Sequence, residues 1–496
     1  MGDGWPRIRA RPWLEGENIV VRSARTIDLR IQLVLGWAAI SLFLVLTRAE
    51  SLPLAQAVFG CLIGGAGLLP LLVYLSTPSA DRPIFPLMVL TGVFYGVFFG
   101  FSVFLLHFQI NEFGRIFSYN MVELEKIGLH IQFMVLDGIG MMYVGWMLAR
   151  RWLSSCVSPI RFAMPSNTFL LHAMFWGFAL LFLLYFLSPQ FRAVPSIGQL
   201  IQPGGYIAMA GFTYLYLKGD LGRGQTFAYF LVYLPAWYFT VLMSSFLTPI
   251  ILSVILLAVM HIRVRGWVPW TAGLLAVVVV VVVYPGSQFY RQMASRSSTE
   301  LSTTERMGQF ARSLTYVYTD RQAQSARWQG LAQRTSAIVP FAIVAKRTPA
   351  EVSYWGGTSY RLLLTSWIPR VIWPGKPREV AGAAFGHRFK LLHPDDNVTS
   401  LNLPWLTEAY ANFGPGGMVF VMLAIGLFLG LLERLLATPS DNAVGWAVGT
   451  GGLLPLAFPE SNLSVMTGSL LPLIISLWVM FRIAQAVSRR LPGSAT

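Results

Sequence analysis

Between Gly286 and Pro415 the chain carries twelve arginines and three lysines against eight acids. A guanidinium presents a planar fork of donors that matches phosphate in bidentate fashion, so an excess of arginine over acid in one segment points to an anionic ligand. Arg361 and Arg370 stand inside apolar stretches, where an unpaired charge is costly, and are the leading candidates for a phosphate or diphosphate. Arg291, Arg296 and Arg378 are further candidates for the same anion. The competing explanation for any single arginine is solvation, or attachment of the segment to lipid headgroups.

Near the end of the segment stand His387, His393, Asp395, Asp396 and Glu408. A carboxylate or imidazole beside an arginine cluster can take the proton of a hydroxyl nucleophile. Glu408 is the first candidate base, because Asn412-Phe413-Gly414-Pro415-Gly416 is expected to turn the chain just after it at the membrane surface. His387 is the second, since an unperturbed imidazole titrates near ~6.5. The alternative for Glu408 is a cap or a partner for an arginine that only supports the fold. Asp395-Asp396 has no third ligand at regular spacing, and the two cysteines, Cys61 and Cys156, lie far apart in different surroundings. No metal site, cofactor or disulfide is expected. Glycine-rich phosphate loops, Gly-x-Ser-x-Gly elbows and His-Glu-x-x-His are absent.

The elements that must hold these residues are set by composition. Hydrophobic residues make up 55% of the 496, and charged residues 12%, against about 25% in soluble domains. A large soluble protein, disorder and coiled coil are excluded. Apolar runs at 31–47, 52–75, 84–107, 129–148, 167–188, 198–217, 225–243, 247–262, 267–285, 416–432, 444–458 and 464–481 predict an all-α polytopic membrane protein of about twelve transmembrane helices. Gly92, Gly96 and Gly100, and likewise Gly426 and Gly430, are spaced for close helix packing in lipid. Asp137 is expected as the acid nearest mid-membrane. With the N-terminus inside, the short inner segments hold 18 Lys and Arg and the short outer loops hold four. The net charge of +15 is therefore a topology signal, and nucleic acid is not an expected partner. The organisation expected is a cytoplasmic tail at 1–30, transmembrane helices 1–9 over 31–285, a periplasmic loop domain of short helices at 286–415, helices 10–12 over 416–482, and a cytoplasmic tail at 483–496.

The outer segment has structure signals of its own. Ser302-Thr303-Thr304-Glu305 has capping-box spacing and precedes a stripe of Met307, Phe310, Leu314 and Val317. The apolar stretches 337–345 and 362–373 are too short to span, so they are expected as interfacial or re-entrant helices. Trp373-Pro374-Gly375-Lys376-Pro377 is expected as a turn.

The order of spans, the large outer segment before the last of them, Trp373-Pro374-Gly375-Lys376-Pro377 and Glu408-Ala409-Tyr410-Ala411-Asn412-Phe413-Gly414 together resemble the Wzy-type polymerases of O-antigen and exopolysaccharide repeat units. The resemblance covers the architecture of the whole chain, with motif similarity only over about 360–430. It implies the fold of the multi-span, lipid-linked glycosyltransferases and a bacterial inner membrane with both termini cytoplasmic. It implies glycosyl transfer on the periplasmic face from one undecaprenyl-diphosphate-linked oligosaccharide to a sugar hydroxyl of another. The partners it implies are that lipid-linked oligosaccharide and the bilayer, with a chain-length regulator left open. Arg361, Arg370 and Glu408 are the positions carried forward. An O-antigen ligase shares the donor and differs in its acceptor. A transporter or flippase of lipid-linked sugars would show two similar halves and charges along its spans, which this sequence lacks.

Overall fold

A computed structural model of the chain describes residues 28–48, 52–104, 128–188, 190–191, 197–243, 248–271, 273–274, 278, 282–283, 285–287, 289–290, 303–320, 335–368, 372–376, 381–394 and 400–490. Among these residues the regular structure is entirely helical. The helices are α1 (Leu29–Leu46), α2 (Leu54–Ser76), α3 (Leu87–Phe104), α4 (Leu129–Leu153), α5 (Thr168–Leu187), α6 (Ile197–Lys218), α7 (residues 223–243), α8 (Thr248–Arg265), α9 (Thr303–Thr319), α10 (Ile338–Arg347), α11 (Ala381–Arg388), α12 (Trp405–Leu436), α13 (Ala443–Ala457) and α14 (Leu463–Ser488).

Eight of the described helices, α1 to α5, α8, α12 and α14, are long and apolar enough to cross a membrane. The remaining expected spans differ for physical reasons. Residues 198–217 form α6, whose Gln202, Pro203, Gly204 and Gly205 dilute its apolar character, and most of whose side chains are packed inside the protein. Residues 225–243 fall in α7, which widens into a π turn at Ala228–Tyr233. The run 444–458 lies in α13, which ends in a 3₁₀ turn at Leu454–Ala457 and is too short to bridge a hydrocarbon core of about 30 Å at ~1.5 Å per residue. The run 267–285 is described only in pieces, with 272, 275–277, 279–281 and 284 outside the described residues.

Glycine rows bring the helices together where burial of apolar surface gives no drive. Gly92, Gly96 and Gly100 of α3 lie against Gly60, Gly64 and Gly67 of α2; a methyl on Gly67 would stand 2.6 Å from the Gly92 carbonyl. Methyls on Gly426 and Gly145 would strike the carbonyls of Met142 and Leu423, so α12 and α4 also touch backbone to backbone.

Loops gather at the two ends of the bundle as the charge alternation expects. At one end Ile84 N–H donates to Ala437 O at 2.7 Å and Ile160 N–H to Leu435 O at 2.9 Å. Arg434 Nε reaches Val157 O, and Asn167 N–H reaches Ser488 Oγ. At the other end Gln132 Nε2 donates to Gln56 O, Ala337 N–H to Phe98 O, and Leu463 N–H to Glu408.

Candidate functional site

The second end carries the described part of 286–415. Helix α10 enters the packed interior with Ile338, Val339, Phe341 and Val344 buried, and the Phe341 ring meets Phe99 and Tyr410. It is thus packed inside the protein and does not lie on its surface. Helix α9 forms where the capping-box spacing places it. Val317 and Ser313 are buried, but Met307 stands outside the stripe at 48% exposure.

Residues 359–366 form a 3₁₀ turn followed by one α turn and carry Arg361. What fixes this segment is Glu408. Its carboxylate is fully buried; Oε1 accepts from Ser359 Oγ at 2.7 Å, and Oε2 accepts from Leu463 N–H, the first residue of α14, at 2.8 Å. Asn412, one turn later on α12, donates to Ser359 Oγ and to Glu408 O at 2.8 Å each. Its Oδ1 accepts from Gly357 N–H, and the carbonyls of Ala411 and Asn412 accept from Trp355 and Gly356. Burial, with the Glu408 carboxylate nearby, pushes the Tyr360 phenol well above the ordinary tyrosine range, so it stays neutral.

This overturns the surface placement of Glu408. The expected turn at 412–416 is a kink of one residue: two helical halves of α12 meet at Gly414, where φ is +69° and ψ −168°, and Pro415 begins the second half. The carboxylate is closed off from solvent and holds two donors. Glu408 therefore lies beneath the Arg361 segment, holding Ser359 two residues before Arg361.

Arg361 itself is exposed, not enclosed by apolar side chains. Along the neighbouring chain Leu364 and Ile372 are 75% exposed and Trp367 is exposed, and exposed Phe413 stacks on Tyr360 at 5.9 Å. Lys376 closes the Trp-Pro-Gly-Lys-Pro turn: it is buried, and its Nζ donates to Ser366 O at 2.7 Å and Ile368 O at 3.0 Å. Arg370, Arg378, Arg291 and Arg296 lie outside the described residues, as do Asp395 and Asp396.

His387 is half-buried near the end of α11, and no hydrogen bond joins it to Arg361 or Glu408. Its helix is held by Arg388, which donates to Ser353 O and Oγ, and by the Phe385 and Phe389 rings against Trp355. Buried Arg347 donates from Nη1 to Phe389 O. His393 is exposed. Asp137 lies on the exposed face of α4.

Sequence reasoning passed over Ser359, Asn412 and Lys376 as polar partners. The four-residue spacing of Glu408 and Asn412 was the available signal, since it places both on one helical face. It also passed over Glu433, an acid buried in α12 whose Oε1 accepts from Met88 N–H at 2.9 Å and whose Oε2 accepts from Trp146 Nε1 at 2.8 Å.

No curated protein and no solved structure matches this chain. A family model described as a domain of unknown function, DUF8712, matches residues 159–452, a stretch that begins in the loop before α5 and ends within α13. That match takes in more than half of the sequence together with the Arg361 segment and its Glu408 anchor, and the chain accordingly belongs to the DUF8712 family.

Proposed function

We propose that the protein is a membrane-embedded glycosyltransferase that polymerises undecaprenyl-diphosphate-linked oligosaccharide repeat units on the periplasmic face of a bacterial inner membrane. The observation that carries this reading is the Arg361 segment. An exposed guanidinium is held on a buried Glu408–Ser359–Asn412 anchor in a segment whose Leu364 and Trp367 face outward. A cation set in an apolar, aromatic surface suits a phosphate carried on a lipid tail.

In the proposed reaction, the C1–oxygen bond to the diphosphate of the growing chain breaks and the leaving diphosphate keeps the electron pair. A hydroxyl oxygen of the incoming unit forms the new bond to C1 and gives up its proton. Arg361, with Arg370, Arg291, Arg296 and Arg378 as further candidates, would neutralise charge growing on the diphosphate. His387 is the candidate for the acceptor's proton.

The test is purified protein with a lipid-linked repeat unit, resolved on a gel. A ladder supports polymerisation. Transfer only to a lipid A core acceptor would make the protein a ligase, and no transfer to either acceptor would sink the reading. Because arginines are assigned the leaving-group charge, the ladder should persist in EDTA; loss on chelation that magnesium restores would overturn that assignment.

A further inference from the structure

The opposite end of the bundle brings together three arginines from three elements. Arg82 lies in the connection after α2, Arg150 near the end of α4 and Arg263 near the end of α8. Arg82 donates from Nε to Thr77 O and from Nη2 to Leu75 O, at 2.8 Å each. Arg150 Nη2 reaches the same residue, at Thr77 Oγ1, 3.1 Å away. Arg263 Nη2 donates to Arg82 O at 3.0 Å. The Arg82 guanidinium lies over the Tyr74 ring, 5.4 Å from its centroid, and Arg263 is within electrostatic reach of the same tyrosine.

The three cations are half-buried, and none has a carboxylate within ion-pair distance among the described residues. Asp81, next in sequence to Arg82, is exposed and forms no ion pair with it. The acid on hand is Glu433, which is within electrostatic reach of Arg150 but already accepts from Met88 N–H and Trp146 Nε1. The Arg263 Nε–H is buried and has no acceptor. Like charges that converge in a partly desolvated place need a counter-ion, and an unfilled buried donor needs an acceptor. The hydrogen bonds to carbonyls and to Thr77 orient the guanidiniums but bring no negative charge.

We propose that Arg82, Arg150 and Arg263 form a phosphate-binding site at this end of the bundle. Its depth, at the ends of α2, α4 and α8, is that of lipid headgroups, where basic pockets between membrane helices take anionic lipids. The chemistry required is a phosphate group with free oxygens, from a lipid headgroup or from free phosphate. Nothing in this site touches the Arg361 segment, so it stands whether or not the glycosyl-transfer reading does.

The experiment uses the whole protein purified in detergent and followed by thermal unfolding and native mass spectrometry. Short-chain phosphatidylglycerol and inorganic phosphate are titrated separately. Saturable binding of phosphatidylglycerol, weakened about tenfold or more in Arg263→Gln or Arg150→Gln, is the result expected, because each loses a charge-assisted hydrogen bond. Inorganic phosphate binding with the same variant sensitivity also supports the site and assigns free phosphate as its source. Absence of saturable binding of either probe to the unmodified protein overturns the proposal whether or not the variants fold. Binding left unchanged in folded Arg82→Gln, Arg150→Gln and Arg263→Gln overturns it equally.

Discussion

Arg361 and Glu408 divide one task between an exposed charge and a buried one. Arg361 offers a donor fork at the surface, and Glu408 fixes where that fork stands through Ser359. Replacing Arg361 by alanine should cost roughly 10²–10³-fold in turnover, the scale of a lost donor to developing charge, with the protein still inserted and folded. Arg361→Lys should recover little, because an ammonium cannot make the bidentate contact. Full-length ladders from a folded Arg361→Ala protein would remove it from the mechanism. Glu408→Gln tests the positioning role against the base role. The amide keeps the shape but replaces one acceptor by a donor, which should lower stability by about 1–3 kcal/mol. Activity should fall modestly, with the substrate concentration for half-maximal rate raised and the pH profile unmoved. A folded variant slowed 10²–10⁴-fold that has also lost the acidic limb of its pH profile would restore the base assignment.

Helix α12 joins the two ends of the molecule. Glu408 near its start accepts the first N–H of α14, and Glu433 near its end accepts the Met88 N–H in the first turn of α3. The first N–H groups of a helix have no partner within it and carry its positive dipole end, so a buried carboxylate fits there better than anywhere else in an apolar interior. The two glutamates are separated by roughly 37 Å of helix at ~1.5 Å per residue, slightly more than a hydrocarbon core. Between them Gly414 takes a backbone conformation that only glycine adopts readily, and a methyl there would stand 2.8 Å from the Tyr354 ring and hydroxyl. Gly414→Ala should therefore cost about 2–4 kcal/mol and lower the thermal midpoint of the purified protein. Unchanged unfolding would mean the kink is not required. The same helix meets α4 through Gly426 so closely that Gly426→Leu should abolish folded monomer on size exclusion.

At the scale of the whole molecule, the two ends differ in chemistry. One collects the short basic loops with Arg82, Arg150, Arg263 and Arg434, and the other carries the Arg361 segment. In the proposed orientation, expected from the positive-inside bias, the first end faces the cytoplasm. Cys156 is exposed at that end, and Thr358 is exposed at the other. An impermeant maleimide applied to intact cells should label Thr358→Cys and spare Cys156 until the membrane is opened. The reverse pattern would invert the topology and place the Arg361 segment on the wrong side for a periplasmic reaction.

Composition and apolar runs alone determined that this is a helical membrane protein, because a lipid solvent forces every backbone donor and acceptor into a helix or closed barrel and demands long apolar stretches. Glycine spacing likewise anticipated that α3 and α12 would approach neighbours closely, though not which neighbours. Periodicity could not tell α6, interior to the protein, from a lipid-facing span, since both are apolar. Asn412-Phe413-Gly414-Pro415-Gly416 has the composition of a turn, and the chain does break at Gly414, but only tertiary packing shows that both halves stay helical and that Glu408 is buried beneath Ser359. The convergence of Arg82, Arg150 and Arg263 was equally hidden, because those residues are far apart in sequence and only the packing of α2, α4 and α8 brings them to Thr77 and Tyr74. Spacing along a chain reports what one element presents; which faces meet depends on side chains that fit, and that is settled only when the helices pack.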